Sequence, residues 1–346
     1  MDGLVPTSVS ELKRKVLYNS GSAEMKIYWS GCLIILMTLS SCSLDDDPIK
    51  DGFSIYLLQG SSTNFQEAEE IGLNNVELED VAWLEPDDIS LYDFSTHYIS
   101  LKIDKASLFQ GMLDDGHMFN FLVKPFVIVA GGERIAFGSF ISSYSSIMSS
   151  GPHIYDLENL FLPSDILFIH RDGGAEIDIR NDERIKNALI AGDVYHAGVN
   201  VELMDVEILD NSDTATVRYS FIIRNNDSDD LYIPDPDLMG TALFHYYTNG
   251  VELRDSDNHY YYSQYKSTSS PVPHDSWESA WFLKLESGSS IRKNLVLKGY
   301  PQFPEDTYRC YFKYAGPSKI ALNDRVIQDG RYWIGETETN SITIAY

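Results

Sequence analysis

The stretch Leu39-Ser40-Ser41-Cys42 places a thiol where chemistry could reach it. An apolar run ends in two small serines, the cysteine follows, and Asp45, Asp46 and Asp47 come shortly after. A thiolate is a good nucleophile, and small neighbours let an extended backbone enter an enzyme's cleft. The other cysteines differ. Cys32 lies inside the apolar run, and Cys310 sits in a strand-like segment, where a thiol reads as a small buried hydrophobe. Three cysteines so placed make no disulfide framework.

Other chemistry is hard to find. The eight histidines form neither HExxH nor a Cys/His zinc spacing. There is no GxSxG elbow and no phosphate-binding Walker loop. His170-Arg171-Asp172 imitates the kinase catalytic triplet, but Ile177 stands where a kinase needs a magnesium-holding asparagine. Asp227, Asp229, Asp230, Asp235 and Asp237 form the densest acidic loop. Oxygen ligands from one loop could hold Ca²⁺, but the EF-hand glycine and distal glutamate are missing, and the run reads as a solvated inter-strand loop. No catalytic residue, metal site or cofactor emerges. The net charge of −26 repels phosphate backbones, which excludes nucleic acid as a partner. It equally opposes adsorption on anionic lipid through a basic patch.

From Met25 the chain reads MKIYWSGCLIILMTLSSC. Lys26 supplies a positive start, and Cys32 to Leu39 is an apolar core well short of the roughly 20 residues that span a bilayer. Residues 25–41 are therefore a signal peptide. Residues 1–24 do not fit one. They are expected to lie upstream of the true start, or to form a long basic lead through Lys13, Arg14 and Lys15. Leu39-Ser40-Ser41-Cys42 resembles the bacterial lipobox. That resemblance implies a diacylglycerol thioether on Cys42, cleavage before it, and acylation of its new amine. Several acyl chains anchor stably where one does not, so the implied partner is a membrane. Residues 42–51 then form an acidic tether. Asp45, Asp46 and Asp47 resemble the export signal of Bacteroidota surface lipoproteins, which implies an outer-membrane protein on the extracellular face. Anchoring on the periplasmic face is the alternative, since a solvated linker has the same composition.

Behind this leader the composition is globular, with 43% hydrophobic residues, 22 tyrosines and 16 phenylalanines. Such aromatics favour strands. Residues 52–192 read as an α+β domain. FSIYLL (53–58) and HYISLKI (97–103) are strands, and residues 119–140 form a hairpin turning at Gly131-Gly132. Asp104 caps a short helix over 104–113, and residues 181–192 form a second helix ending at Gly192. Residues 199–346 read as an all-β domain of about seven strands: 199–209, 215–225, 242–248, 279–285, 291–298, 307–314 and 341–346.

Within it, PEDTYRCYF (304–312) resembles the tyrosine corner of immunoglobulin-like domains. The resemblance implies an Ig-like β-sandwich in which the Tyr308 hydroxyl returns to the backbone. Tyr219 and Phe221 replace the antibody cysteine, and Phe244 is the nearest bulky residue to the antibody tryptophan. The likeness is thus to disulfide-free bacterial Ig-like domains, the intracellular-proteinase-inhibitor type among them. Tyr260, Tyr261, Tyr262 and Tyr265 fall in a loop before Trp277. They offer a contact surface of low entropy cost, or alternate tyrosines pack as an extra strand. Asp213-Thr214-Ala215 resembles the O-glycosylation site of exported Bacteroidota proteins, with Thr214 as acceptor.

Together these readings imply a lipid-anchored, non-catalytic binding or adhesion-type protein of the cell envelope, contacting protein or glycan. An inhibitor or accessory subunit of an envelope complex, by likeness of fold alone, and a carbohydrate-active hydrolase are the alternatives. Cells fed an alkyne fatty acid should label the wild-type chain, whereas equal labelling of Cys42→Ser would rule out lipidation. Protease added to intact cells should remove the protein, and replacing Asp45, Asp46 and Asp47 by alanine should protect it.

Overall fold

Gly131 and Gly132, both at positive φ, close a hairpin between the strands Val123–Ala130 and Glu133–Ile141. Phe53–Leu57 adds antiparallel to its first strand, and His153–Tyr155 adds parallel to its second. Phe53–Leu57 is buried throughout, Ser54 included, because both of its faces are covered. Phe53, Ile55 and Leu57 enter one core, and Tyr56 enters another beneath the helix Phe65–Ile71. Asn64 and Glu67 cap that helix reciprocally. The helix Glu183–Ala191 starts where Asp182 accepts from the Arg184 amide, and it buries Ile185, Ala188 and Leu189 at helical spacing. Asp104 caps only Lys105–Leu108, one helical turn.

In the computed structural model the described residues are 52–60, 64–114, 118–146, 151–156, 162–171, 177–211, 214–264, 277–317, 326–327 and 329–346. They belong to one compact unit, Pro48–Tyr346. The fold is largely β, with five sheets among the described residues. Cys42, Asp45, Asp46, Asp47 and Tyr265 lie outside the described residues. No helix among the described residues is long and apolar enough to cross a membrane.

A second sheet of the amino-terminal half orders Ile166–Phe168, Tyr98–Leu101, Ile89–Asp93 and Tyr195–His196. Its core ends at Tyr195, and the next core begins at Val199. In the carboxy-terminal half, Ser290–Tyr300, Ala215–Asn225 and Val199–Asp210 form one antiparallel sheet. Opposite it, Thr307–Ala315 pairs with Val251–Arg254, Glu336–Glu338 and Ile342–Ala345. The alternation of Thr307–Ala315 turns Tyr308, Cys310, Phe312 and Tyr314 inward. Phe312 meets Phe221 of the facing sheet at 4.9 Å between ring centroids. Cys310 is buried among these rings, which pushes its thiol up to about 12.

Residues 242–248 correct the expected strand, since Thr241–Thr248 is a helix. Phe244, His245 and Thr248 are its buried residues, a helical spacing that the run of aromatics disguises as β. Asn249, at φ 59, is the left-handed end of this helix and not part of a hairpin turn. Phe244 therefore reaches the core from a helix, not from a third strand. The acidic loop is a second correction. Asp227 and Asp235 are buried, and Lys293 pairs with both Asp235 and Asp237 at 2.7 Å. Asp235 also caps the short helix Pro236–Met239.

The two halves are joined by a small apolar cluster, in which Ile334 packs with Tyr98, Leu162 and Ile166, and by charge. Arg331 donates to Asp93 at 2.8 Å and to Asp227 at 2.6 Å, with its own side chain only 13% exposed. Asp93 comes from the amino-terminal sheet, while Asp227 and Arg331 come from the carboxy-terminal half. Gly198 lies against them at φ 65, and a Cβ there would stand 2.4 Å from the Asp93 carboxylate. Removing one partner of a buried ion pair leaves the other charge unpaired, which costs about 3–5 kcal/mol. Arg331→Ala should lower the unfolding free energy by about that much, measured as a fall in the urea midpoint.

Candidate functional site

The hairpin turn at Asp93–His97 is the centre of the junction. Asp93 Oδ1 accepts from the Ser95 amide at 3.0 Å and the Ser95 hydroxyl at 2.6 Å, a local Asx turn. The His97 amide closes the turn on the Asp93 carbonyl at 2.7 Å. His97 takes φ 60, a left-handed conformation uncommon outside glycine. Its ring is held by the Tyr92 hydroxyl, 3.1 Å from Nδ1, and by edge contacts with Tyr92 and Phe94. Burial, helped by the nearby Arg180 charge, holds His97 neutral down to about 3. Arg180 forks onto Asp178 at 2.9 and 2.7 Å and donates to the Ile169 carbonyl at 2.6 Å. Burial alone would raise the Asp178 carboxyl, but the hydrogen bonds and charge of Arg180 outweigh it and hold the group below its ordinary range.

This turn floors a cleft of about 930 Å³ between the halves. One wall carries Tyr98, Phe168, His170, Arg180 and Asn181, and the other carries Asn200, Asn226, Tyr247, Lys313, Glu336 and Thr337. Tyr98 and Phe168 stack at 4.4 Å, and His170 abuts Phe168 at 4.3 Å. Gly335, at φ 96, lets the carboxy-terminal half come close, since a Cβ there would stand 2.6 Å from the Tyr98 ring. Behind the floor, Ser95 Oγ takes the Trp333 indole N–H at 3.0 Å and the Val199 amide at 3.3 Å. The arrangement is a polar cleft with aromatic faces.

Beside the cleft, His196, Asp227 and Asp229 bring ligand atoms within 4.8 Å of one another. Asp227 already accepts from His196 at 2.9 Å, Gly198 at 3.1 Å, the Asp229 amide at 3.1 Å and Arg331 at 2.6 Å. Burial would raise its carboxyl, but these partners hold it far below its ordinary range. The guanidinium supplies positive charge here, and the group forms an ion-pair network.

The tyrosines expected to touch a ligand lie elsewhere. Tyr260 and Tyr261 form a short edge strand on Val251–Arg254. Tyr261 packs between Phe303 and Tyr308, and its hydroxyl donates to Asp255 at 3.1 Å. Tyr260 and Tyr262 are 51% and 55% exposed, with the Arg254 guanidinium 4.8 Å from the Tyr260 ring centroid. Thr214 is exposed just before the strand Ala215–Asn225. None of these residues lines the cleft. Sequence reasoning missed the cleft, although His170, Arg171 and Ile177 came up in the kinase comparison and the first two line it. No protein-family model matches the chain, and no curated protein does.

The buried imidazole makes stability depend on pH with a definite sign. An unfolded histidine titrates near about 6.5, and His97 does so only near about 3 when folded. Its neutral form favours the fold above the unfolded value, and that contribution is lost as pH falls from about 6.5 toward the folded one. The urea midpoint of the wild type should fall between pH values of about 6.5 and 4.5. His97→Asn, which tolerates left-handed backbone and does not titrate, should flatten that slope.

Proposed function

We propose that this chain is a lipid-anchored outer-membrane protein whose exported part is a non-catalytic binding module. Its anchor is Cys42, its tether carries Asp45, Asp46 and Asp47, and its extracellular face holds the ligand. The observation that carries the binding reading is the cleft of about 930 Å³ walled by both halves. A ligand there meets elements already fixed by buried ion pairs, so little ordering remains to be done on binding. Two titratable side chains of the cleft are held in fixed protonation states. His97 is held neutral and Asp178 is held ionised by Arg180, so neither group is poised near neutrality for proton transfer.

The same reading takes residues 199–346 as an immunoglobulin-like sandwich. In support, the Tyr308 hydroxyl donates to the Pro304 carbonyl at 2.7 Å, the hydrogen bond of a tyrosine corner. Ring packing of Phe221 on Phe312 between facing sheets supports it too.

The test fills the cleft. Asn200 is exposed on the wall, so Asn200→Trp adds bulk there without entering the core. The full-length chain in detergent should retain a component of the organism's extracellular material, and Asn200→Trp should lose it at unchanged thermal stability. The double variant Tyr260→Ala, Tyr262→Ala should keep it. Equal retention by Asn200→Trp would remove the cleft from the proposal and leave the tyrosine edge as the contact.

A further inference from the structure

The lining of the cleft narrows the ligand class. Its charged side chains are Arg171, Arg180 and Lys313 against Asp178, Glu336 and Glu338, three of each sign. In a chain of net charge −26 this balance is local. Arg180 is forked onto Asp178, and Lys313 meets Glu336 at 2.6 Å. An ionic ligand would have to compete with these pairs, and a phosphate or carboxylate would also face three carboxylates. The lining does not call for a charged ligand.

It supplies two other things. The first is flat apolar area. Phe168 is half-buried and stacked on Tyr98, which fixes its ring plane, and Phe94 and Tyr247 are half-buried around the same space. The electron-rich face of an aromatic ring attracts the positively polarised hydrogens of C–H bonds. The second is amide and hydroxyl groups. Asn181, Asn200 and Asn226 are exposed in the lining, with Thr337 half-buried. Each amide side chain offers both donors and an acceptor, which matches groups that also donate and accept. Beneath them the Thr96 hydroxyl is buried with no hydrogen-bond partner.

A molecule with apolar C–H faces, many hydroxyls and no net charge is a sugar. The volume of about 930 Å³ is at the upper end for ligand pockets, which run to roughly 1,000 Å³, and exceeds what a single sugar ring fills. We infer that the cleft binds an uncharged oligosaccharide, stacked on Phe168 and hydrogen-bonded by the asparagines of both walls. This inference rests on the cleft being the binding site and adds the class of its ligand.

The test uses the full-length chain in detergent against neutral gluco-, xylo-, manno- and galacto-oligosaccharides. Sulfated and uronate-bearing counterparts and a peptide array run in parallel. At least one neutral oligosaccharide should bind saturably. Phe168→Leu, which keeps apolar volume and loses the flat face, should weaken it at least tenfold. Phe168→Tyr should restore it, and Asn200→Trp should abolish it. Absence of saturable binding to the neutral series overturns the inference. So does neutral binding indifferent to Phe168→Leu and Asn200→Trp. Tighter binding of the acidic sugars or of peptides, lost in Asn200→Trp, overturns the ligand class and leaves the cleft as the binding site.

Discussion

The guanidinium of Arg331 between Asp93 and Asp227 is the constraint on which the rest depends. Two carboxylates and one cation taken out of water have a desolvation cost of several kcal/mol per ion. That cost is offset only if the remaining lone pairs are satisfied. On the carboxylates they are: Ser95 fills Asp93 Oδ1, while His196, Gly198 and the Asp229 amide fill Asp227; on the guanidinium, Arg331 Nε is buried without a hydrogen bond. Such a network contributes little net stability compared with a well-packed apolar contact. It gains in geometry, because a charge between two carboxylates has one good position. The two halves are thereby fixed in one arrangement, which a sliding apolar interface between sheets would not ensure.

The cleft follows from that arrangement. The turn that presents Asp93 to Arg331 also presents His97 and Thr96 to the cleft floor, so joining the halves and shaping the site are one structural act. Its backbone is unfavourable at His97, at φ 60, and the surroundings over-determine it. The Tyr92 hydroxyl, the rings of Tyr92 and Phe94, and the Arg180–Asp178 fork all hold the imidazole in place. Gly198 and Gly335 complete the close approach, since side chains at either would collide with this turn or its neighbour Tyr98. Opening the junction would therefore erase the cleft.

How much of this was legible in the sequence depended on the range of the interaction. Local signals read well. Gly131-Gly132 closes the hairpin, helix 183–191 stops at Gly192, and Thr307–Ala315 alternates inward and outward. Residues 241–248 failed because consecutive aromatics carry no clear period, and the Asn-Gly that follows can end a helix as well as turn a hairpin. The acidic loop failed for a deeper reason. Asp227 meets Arg331 across 104 residues, and Arg331 meets Asp93 across 238, with no motif at either end. An aspartate that will be buried beside a distant arginine looks, in its own neighbourhood, like any solvated one. The candidate site was illegible for the same reason, as its walls come from segments that share only a location in space.

Cations are scarce in this chain, and several of them act as internal struts. Lys293 ties Asp235 and Asp237. Lys105 donates to the carbonyls of Leu162, Pro163 and Ile166, and burial lowers its ammonium to about 8. Arg134 holds the carbonyls of Leu73 and Val76, and Arg180 holds that of Ile169 beside the cleft. Lys105, Arg134 and Arg180 thereby hold backbone carbonyls in loops and at element ends. The chain has 26 lysines and arginines against 52 acidic residues, and the buried cations Arg331, Lys293 and Arg180 each take at least one carboxylate inward with them. The charged side chains that line the candidate cleft balance one another within this acidic chain.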